Sequence, residues 1–444
     1  MPPQIAFLMC GIFIVWLMRV DRSWKTNVSY ALWIPLIWVL IMSSRPISYW
    51  FGVTPVMTTP DELLEGSPVD RLISTALIVS GALVLMRRKI DWRWIGRRNL
   101  SIFVFLAYCG ISVIWSDFAF VSFKRWIRGI GNLVMVLVIL TDGNCIEAVR
   151  ALLRRWAYVL APLSVVFIKY FPELGRGYDS WTGRAFYRGA ACDKNALGSL
   201  ALIFALFFAW DTLTQWRRRD GSLHKKQLAI NAFFLVIITW LMGKAQSATS
   251  LVAMVSGILL LFALGLPFLQ TSESRTDFYL FLCLVGAVIG FTFLDVHGIL
   301  LKSLGRDATL TGRTDLWHVL INMGTDPFVG VGYESFWLGG RAEALWEGYW
   351  WRPNEAHNGF LEIYLNLGGI GLLLLLAMLF GAYRRCRTAL VAESDSGRLR
   401  MAFLGVTLLC SATEVPFRGL HPLWFLFLLC GMEWPQVQAS DGAQ

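Results

Sequence analysis

Hydrophobic residues along this chain fall into long runs, and polar residues collect in the segments between them. Several runs approach the roughly 20 residues that an α-helix needs to cross a bilayer. The pattern therefore predicts an all-α polytopic membrane protein with about 12 or 13 transmembrane helices, the last two runs forming two short spans or one re-entrant pair. The runs cover 5–20, 28–44, 70–86, 100–115, 125–141, 151–169, 196–214, 228–243, 248–269, 277–295, 357–382, 400–415 and 421–433.

The longest polar interval, 296–356, divides the chain into parts. It predicts a large external loop between an N-terminal bundle of about ten helices at 1–295 and C-terminal transmembrane helices at 357–435. The last residues, 436–444, are predicted to form a disordered tail.

A short amphipathic helix is predicted inside the long loop. Apolar residues from Leu316 to Met323 follow helical spacing, and Gly324 ends them. We expect this helix to lie on the membrane surface. Arg313 falls at its start, where it would reach an anionic partner or pair with a carboxylate.

Composition agrees with a membrane protein and excludes a large soluble globule. Hydrophobic residues make up 56% of the 444 positions and charged residues only 16%. The net charge of +10 does not indicate nucleic-acid binding, because the basic residues form short clusters between apolar runs. The first run lacks a basic leader and a cleavage site, so we interpret it as a retained helix.

The alternating basic loops predict the orientation of the chain. Loops after every second run are rich in Arg and Lys, which places them in the cytoplasm. The segments at 45–69, 116–124, 170–195, 244–247 and 296–356 then lie outside.

Several cations fall on the outer side, although basic residues normally collect in cytoplasmic loops. They are therefore candidate functional groups. Lys124 and Arg128 share a helix face with Arg125 beside them. They indicate an anion-binding face; the alternative is that the outer cations snorkel to lipid phosphates or pair with Asp117 and Asp193. The other outer cations include Arg176, Arg188, Lys194 and Lys244.

The junction at 352–375, RPNEAHNGFLEIYLNLGGIGLLLL, joins the long loop to an apolar run. Asn354 is the predicted N-cap, with Glu355 in the first turn and His357 at the third helical position. A helix N-terminus disfavours a protonated imidazole, so the sequence favours a neutral His357 that acts as a general base. Asn358 and Glu362 share a face, and Glu362 needs a partner because it lies about one turn inside the apolar run.

Other candidate groups are fewer. Glu414 lies between the last two runs and would pair with Arg418 or serve the site. Tryptophans from Trp337 to Trp351 would stack on sugars or lie among lipid headgroups. The eight cysteines and the remaining histidines show no metal-ligand spacing, so no metal and no cofactor are expected.

An outward-facing base beside cations suggests the kind of substrate. The outer face offers no nucleotide sugars, so a glycosyl donor there must be carried by a lipid. Its diphosphate would be bound by Arg and Lys, and the acceptor hydroxyl would need a base.

Five stretches carry a family resemblance, and the last two are the most specific. They are SRPISYW (44–50), WSDFAFVSFKR (115–125), GYDSWTGRAFYRGAACDKNALG (177–198), TGRTDLW (311–317) and EAHNGFLEIYLNLGGIGLLL (355–374). In these stretches the chain resembles the O-antigen ligase and polysaccharide polymerase family, and within it the exopolysaccharide polymerase branch.

The resemblance implies a metal-independent, inverting glycosyltransferase of the GT-C type in the bacterial inner membrane, with its active site facing the periplasm. It implies that His357 is the base or orients the acceptor and that Arg313 contacts the diphosphate or the donor. Glu355, two residues before His357 in the predicted first turn, is a further catalytic candidate. At position 193 the family commonly has His, whereas this chain has Asp193. The diphosphate-binding residues that it implies are Lys124, Arg125 and Arg128, with Lys194 and Asn195 as further members. Charge and position add four candidates for binding the diphosphate or the glycan, which are Arg188, Asn358, Glu362 and Glu414.

Three functions are compatible with these features. The first is a polymerase that transfers undecaprenyl-diphosphate-linked oligosaccharide to a growing glycan. The second is a ligase that attaches finished glycan to lipid A-core or another acceptor. The third is a flippase or transporter for polyprenyl-linked sugars, which the lack of an internal repeat disfavours. Membrane lipids and chain-length-control or export proteins are the expected further partners.

Overall fold

The computed structural model describes residues 1–24, 27–52, 67–178, 183, 185–218, 221–266, 269, 272–279, 313–349, 351–392 and 394–434. Helices dominate these residues, and one two-stranded antiparallel sheet joins β1 (Arg176–Tyr178) to β2 (Ala185–Tyr187). The helices are α1 Pro3–Ser23, α2 Trp33–Ser43, α3 Ile47–Trp50, α4 Pro68–Arg87, α5 Trp92–Arg98, α6 Leu100–Ile111, α7 Ala119–Leu140, α8 Cys145–Tyr170, α9 Pro172–Gly175, α10 Lys194–Arg218, α11 Gly221–Ala245, α12 Ala248–Ala263, α13 Arg313–Ile321, α14 Gly340–Gly348, α15 Gly359–Ala392, α16 Ser394–Ser411 and α17 Pro422–Gly431.

The structure confirms an all-α polytopic membrane protein. Six of the described helices are long and apolar enough to cross a membrane, and the bent pair Trp92–Arg98 and Leu100–Trp115 could provide a seventh span. Three shorter apolar helices accompany them. The total of about 12 or 13 stays a prediction, because most of the run at 277–295 lies outside the described residues.

The chain forms two compact units. The first contains 1–100, 127–258 and 418–444, and the second contains 101–126 and 259–417. The predicted parts 1–295, 296–356, 357–435 and 436–444 stay predictions, because 280–312 and 435–444 lie outside the described residues.

In the first unit, α8 is the central helix. It packs against α1, α2, α10 and α11, and most of its side chains are buried. Its first turns carry arginines that form buried ion pairs. Arg155 Nε lies 2.6 Å from Asp21, and Arg150 Nε lies 3.0 Å from Asp211. These pairs anchor one end of the helix, because a buried charge needs a partner.

In the second unit, α15 is interrupted at Gly368, whose φ of 64° breaks the helical backbone. The loop at 326–336 packs against the break. In this loop, the carbonyl of Pro327 accepts a hydrogen bond from Gly369 N at 2.8 Å. Gly332 N donates to the carbonyl of Asn366, also at 2.8 Å. The loop thereby satisfies backbone groups that the interrupted helix leaves open.

The apolar face of α13 packs into the protein. Leu316 and Leu320 are fully buried in a cluster with Phe336, Trp337 and other residues of the second unit. The short helix was correctly predicted. Its leucines bury their surface against the protein, whereas Val319 and Ile321 of the same helix are exposed, so its position on the membrane stays a prediction.

Candidate functional site

His357 lies in a tight turn just before α15. Its φ of 49° is in the left-handed region, which is uncommon for a residue with a side chain. Asn358 caps the helix, since its Oδ1 accepts hydrogen bonds from Phe360 N at 3.0 Å and Leu361 N at 3.1 Å. The prediction of Asn354 as N-cap, with His357 inside the helix, is therefore wrong.

The residue before His357 is held at both of its backbone polar groups. Ala356 N donates to Glu362 Oε2 at 2.9 Å, and its carbonyl accepts from Trp317 Nε1 at 2.8 Å. Ala356 is also fully buried. These contacts fix the path of the chain into the left-handed turn, which compensates for its backbone strain.

Glu362 is buried, with 6% exposure, and has the protein partner that its position requires. Its Oε1 accepts from Trp337 Nε1 at 2.8 Å and from Asn366 Nδ2 at 3.2 Å. The carboxylate thus connects the turn to the loop and to α15. A direct contact of Glu362 with substrate stays a prediction.

Glu355, His357 and Glu414 come together at this turn. His357 Nδ1 lies 2.9 Å from Glu355 Oε1, and one potential ligand atom from each of the three residues lies within 4.8 Å of the others. All three are partly exposed, and the Trp351 ring lies 6.0 Å from the imidazole. The two side chains are close enough to pair, but their geometry is not that of a hydrogen bond, because Nδ1 has no hydrogen-bond partner among the described residues.

The same three side chains form a donor set that suits a divalent cation. Two carboxylates and an imidazole are common metal ligands, although exposed acidic groups often occur without one. The predicted absence of a metal therefore stays a prediction that needs a direct test.

Two of the cations that were predicted to bind the diphosphate lie on α7 in the second unit. Arg125 is buried and its guanidinium donates to the carbonyl of Glu334, which itself has a φ of 49°. The Lys124 ammonium lies 4.6 Å from the ring centroid of Phe120. Asp117, considered as a partner for these cations, pairs with Arg341 at 2.6 Å.

Arg313 is the first residue of α13, the helix that carries Trp317 to the His357 turn. The structure describes its backbone but not its side chain. Its contact with a donor phosphate stays a prediction.

The remaining predicted residues belong to the first unit. Arg128 lies on α7, and Lys194 and Asn195 begin α10. Asp193 caps that helix by accepting from Asn195 N at 2.8 Å. Arg188 donates to the carbonyls of Leu174 and Glu173.

The sequence indicated Glu362 but not the other groups that hold the turn. Trp337 was predicted to contact sugars or headgroups, but it is buried against Glu362. Trp317 donates to a carbonyl 39 residues away, and Asn366 accepts hydrogen bonds from backbone N–H groups 30 and 31 residues away. In the sequence, each of these two residues is visible only as a polar group on an otherwise apolar helix face.

The described helices are those of a multi-pass membrane protein, and two comparisons show which known proteins its sequence resembles. The sequence model of the family described as O-Antigen ligase matches residues 195–376, which include Arg313 and His357. The exopolysaccharide production protein ExoQ of Rhizobium meliloti (strain 1021) is 28% identical over 320 residues, covering 69% of each chain. Both comparisons confirm the family resemblance.

Proposed function

We propose that this protein is a GT-C-type glycosyltransferase of the bacterial inner membrane. It transfers an oligosaccharide from undecaprenyl diphosphate to a growing glycan on the periplasmic face. The observation that carries the proposal is the 2.9 Å contact between Glu355 and Nδ1 of a conformationally held His357. The likeness to an exopolysaccharide production protein favours a polymer as product.

His357 acts as the base in this proposal. Its Nε2 takes the proton of an acceptor hydroxyl while that oxygen attacks the anomeric carbon of the donor sugar. Glu355 lies beside Nδ1 and stabilises the positive charge that the proton brings. The new glycosidic bond forms as the bond to the diphosphate breaks, so a single displacement inverts the anomeric configuration.

The leaving diphosphate needs charge stabilisation more than a proton. In the second unit, Arg313, Lys124 and Arg125 are the proposed cations for this role. Arginine suits it because its fork binds two phosphate oxygens at once. Glu414 and Asn358 are proposed to contact the acceptor glycan.

Reconstitution tests the function. The purified protein in lipid vesicles is given a polyprenyl-diphosphate-linked oligosaccharide, and the product is resolved by chain length. A ladder of products longer than one donor unit supports the polymerase. Donor that only changes leaflet, without a new glycosidic bond, would contradict the proposal and favour a flippase.

A ligase is the second candidate, because the matching family model is described as O-Antigen ligase. Ligase and polymerase share the chemistry and differ in the acceptor. The same assay with a lipid A-core acceptor separates them. A single attached glycan with no ladder identifies a ligase.

A further inference from the structure

Three aromatic side chains that precede the His357 turn are only partly buried. They are here called the aromatic wall and are Trp346, Tyr349 and Trp351. Each packs against the buried cluster around Phe336 and Trp337 and keeps part of its surface accessible. Trp337 itself is 3% exposed, and its indole N–H is used by Glu362. Of these four residues, only the aromatic wall therefore offers ring surface to a ligand.

Trp346 already has partners for its edge and one of its faces. Its Nε1 donates to the carbonyl of Pro353 at 2.9 Å. The guanidinium of Arg352 lies 6.0 Å from the centroid of its ring, where a cation is attracted by the aromatic face. Trp346 therefore supports the segment that leads to His357 and has less free surface for a ligand.

Trp351 connects the aromatic wall to the proposed base. Its ring centroid lies 6.0 Å from that of the His357 imidazole, with 33° between the two planes. Tyr349 packs against the indole in a T-shaped arrangement at 5.9 Å. Aromatic rings in such contacts hold one another at defined angles. The partly exposed indole thus lies at a fixed distance from the imidazole.

The backbone around Trp351 is held in the same way. Arg352 has a φ of 47° and His357 a φ of 49°, so two residues with side chains lie in the left-handed region within six positions. Arg352 N donates to the carbonyl of Tyr349 at 3.0 Å, which closes a turn over the tryptophan. Strained residues persist only where the surrounding structure fixes them, and they cluster at active sites and ligand clamps.

The charges beside the imidazole favour a sugar over a lipid headgroup as the ligand. Potential ligand atoms of Glu355 and Glu414 lie within 4.8 Å of one from His357, and all three side chains are partly exposed. Carboxylates repel the phosphate of a headgroup and accept hydrogen bonds from hydroxyl groups. A pyranose has hydroxyls at its edge and C–H groups on its face, and C–H groups pack well on the negative face of an aromatic ring.

We propose that Trp351 is the stacking platform for a pyranose ring of the acceptor glycan. The sugar packs its C–H face on the indole, and its hydroxyl edge points to the carboxylates and the imidazole. Trp351 is then a specificity-determining residue, because the orientation of the stacked ring decides which hydroxyl reaches Nε2. The role of this glycan as acceptor rests on the proposed function, whereas binding of a sugar at Trp351 does not.

Glycan binding tests the platform without any transfer reaction. The probe is the oligosaccharide that mild acid releases from the polyprenyl-diphosphate donor of the transfer assay, so it carries neither lipid nor phosphate. Calorimetry with the full-length protein in phosphatidylcholine nanodiscs should show saturable binding. We expect Trp351→Leu to weaken it about tenfold, since leucine keeps apolar bulk but has no aromatic face. Trp351→Phe should retain most of the affinity.

Trp92→Leu is the matched control, because Trp92 is a tryptophan of α5 with 51% exposure. It should bind the probe like the wild type. An equal loss in Trp92→Leu, or unchanged affinity in Trp351→Leu, would overturn the platform, and the latter result is the one expected of a ring that lies among lipid headgroups. Absence of saturable binding to the wild type would overturn it as well.

A measurement on the wild type covers the case in which the Trp351 variants do not fold. Protons that lie over the face of an indole experience its ring current, so a titration followed by NMR should move the C–H protons of one sugar residue upfield. Uniform or absent shifts would contradict stacking.

The transfer assay separates this proposal from the proposed function. Trp351-dependent glycan binding without any transfer would leave the platform intact and refute the glycosyltransferase. Transfer by Trp351→Leu with the wild-type KM for the acceptor would refute the platform and leave the glycosyltransferase intact. If both proposals hold, the KM for the acceptor should rise about tenfold in Trp351→Leu, in step with the loss of affinity.

Discussion

The carboxylate of Glu362 holds the backbone next to His357, since its Oε2 accepts a hydrogen bond from Ala356 N at 2.9 Å. Its other oxygen accepts from Trp337 and Asn366. The catalytic candidate and its support therefore lie five residues apart in sequence but on different structures, a left-handed turn and a helix. Glu362 is best interpreted as a positioning residue for His357.

Glu362→Gln should slow transfer without preventing insertion into the membrane. The amide keeps one acceptor oxygen but presents an NH₂ group to a donor, so at least one hydrogen bond of the turn is lost. Because such a loss is about 1–3 kcal/mol, we expect kcat to fall roughly tenfold to hundredfold with a smaller change in KM. Steady-state kinetics in the reconstituted assay measure both.

Glu347→Gln is the control for that variant, because it makes the same change at an exposed position of α14. It should retain wild-type kinetics. A Glu362→Gln enzyme with unchanged kcat, or one in which only KM rises, would contradict the positioning role.

His357→Ala and His357→Gly should both abolish transfer, because each removes the proposed base. They should differ in stability, since glycine adopts the left-handed region without strain. We expect the glycine variant to be more stable than the alanine variant by about 1 kcal/mol, measured as a shift in thermal unfolding of the purified protein.

His318→Ala provides the comparison for activity, as His318 is an exposed histidine of α13. It should transfer at the wild-type rate. Product formation by His357→Ala at the level of His318→Ala would rule out the base assignment.

Much of the architecture was predictable because its signals are local. Apolar runs indicate spans, and the break in charge and hydropathy at 352–375 singled out Glu355 and His357. The structure adds Glu414 to the same cluster, as the sequence allowed. Charge and hydropathy act over a few residues, so a single sequence is enough to detect them.

The geometry of the turn was not predictable, because it depends on distant partners. Asn354 and Asn358 are both competent N-caps, and the local sequence favoured the wrong one. The choice follows from contacts at Ala356, one of which comes from Trp317 in another helix. Such contacts decide between local alternatives of similar free energy.

Transfer should continue in excess EDTA if the reaction is metal-independent. The proposed diphosphate ligands are arginine and lysine, which need no bridging cation. The rate is measured before and after chelation, with magnesium or manganese added back. Activity that disappears with EDTA and returns with one of these ions would instead assign Glu355, His357 and Glu414 as ligands of that ion.

Gly330→Ala should destabilise the second unit far more than Gly324→Ala. Both glycines have a positive φ, 65° and 71°, so each substitution introduces backbone strain of about 1 kcal/mol. The two positions differ in the space available for a side chain. A Cβ at Gly330 would meet the backbone of Asn366 at 2.5 Å, whereas nothing lies within 4 Å of a Cβ at Gly324. The added methyl at Gly330 must displace the loop from the break in α15, and with it the Asn366 contacts that lead to Glu362. Thermal unfolding should therefore occur at a clearly lower temperature in Gly330→Ala than in Gly324→Ala, with transfer reduced only in the former. Equal unfolding temperatures in the two variants would show that the loop does not depend on this close packing.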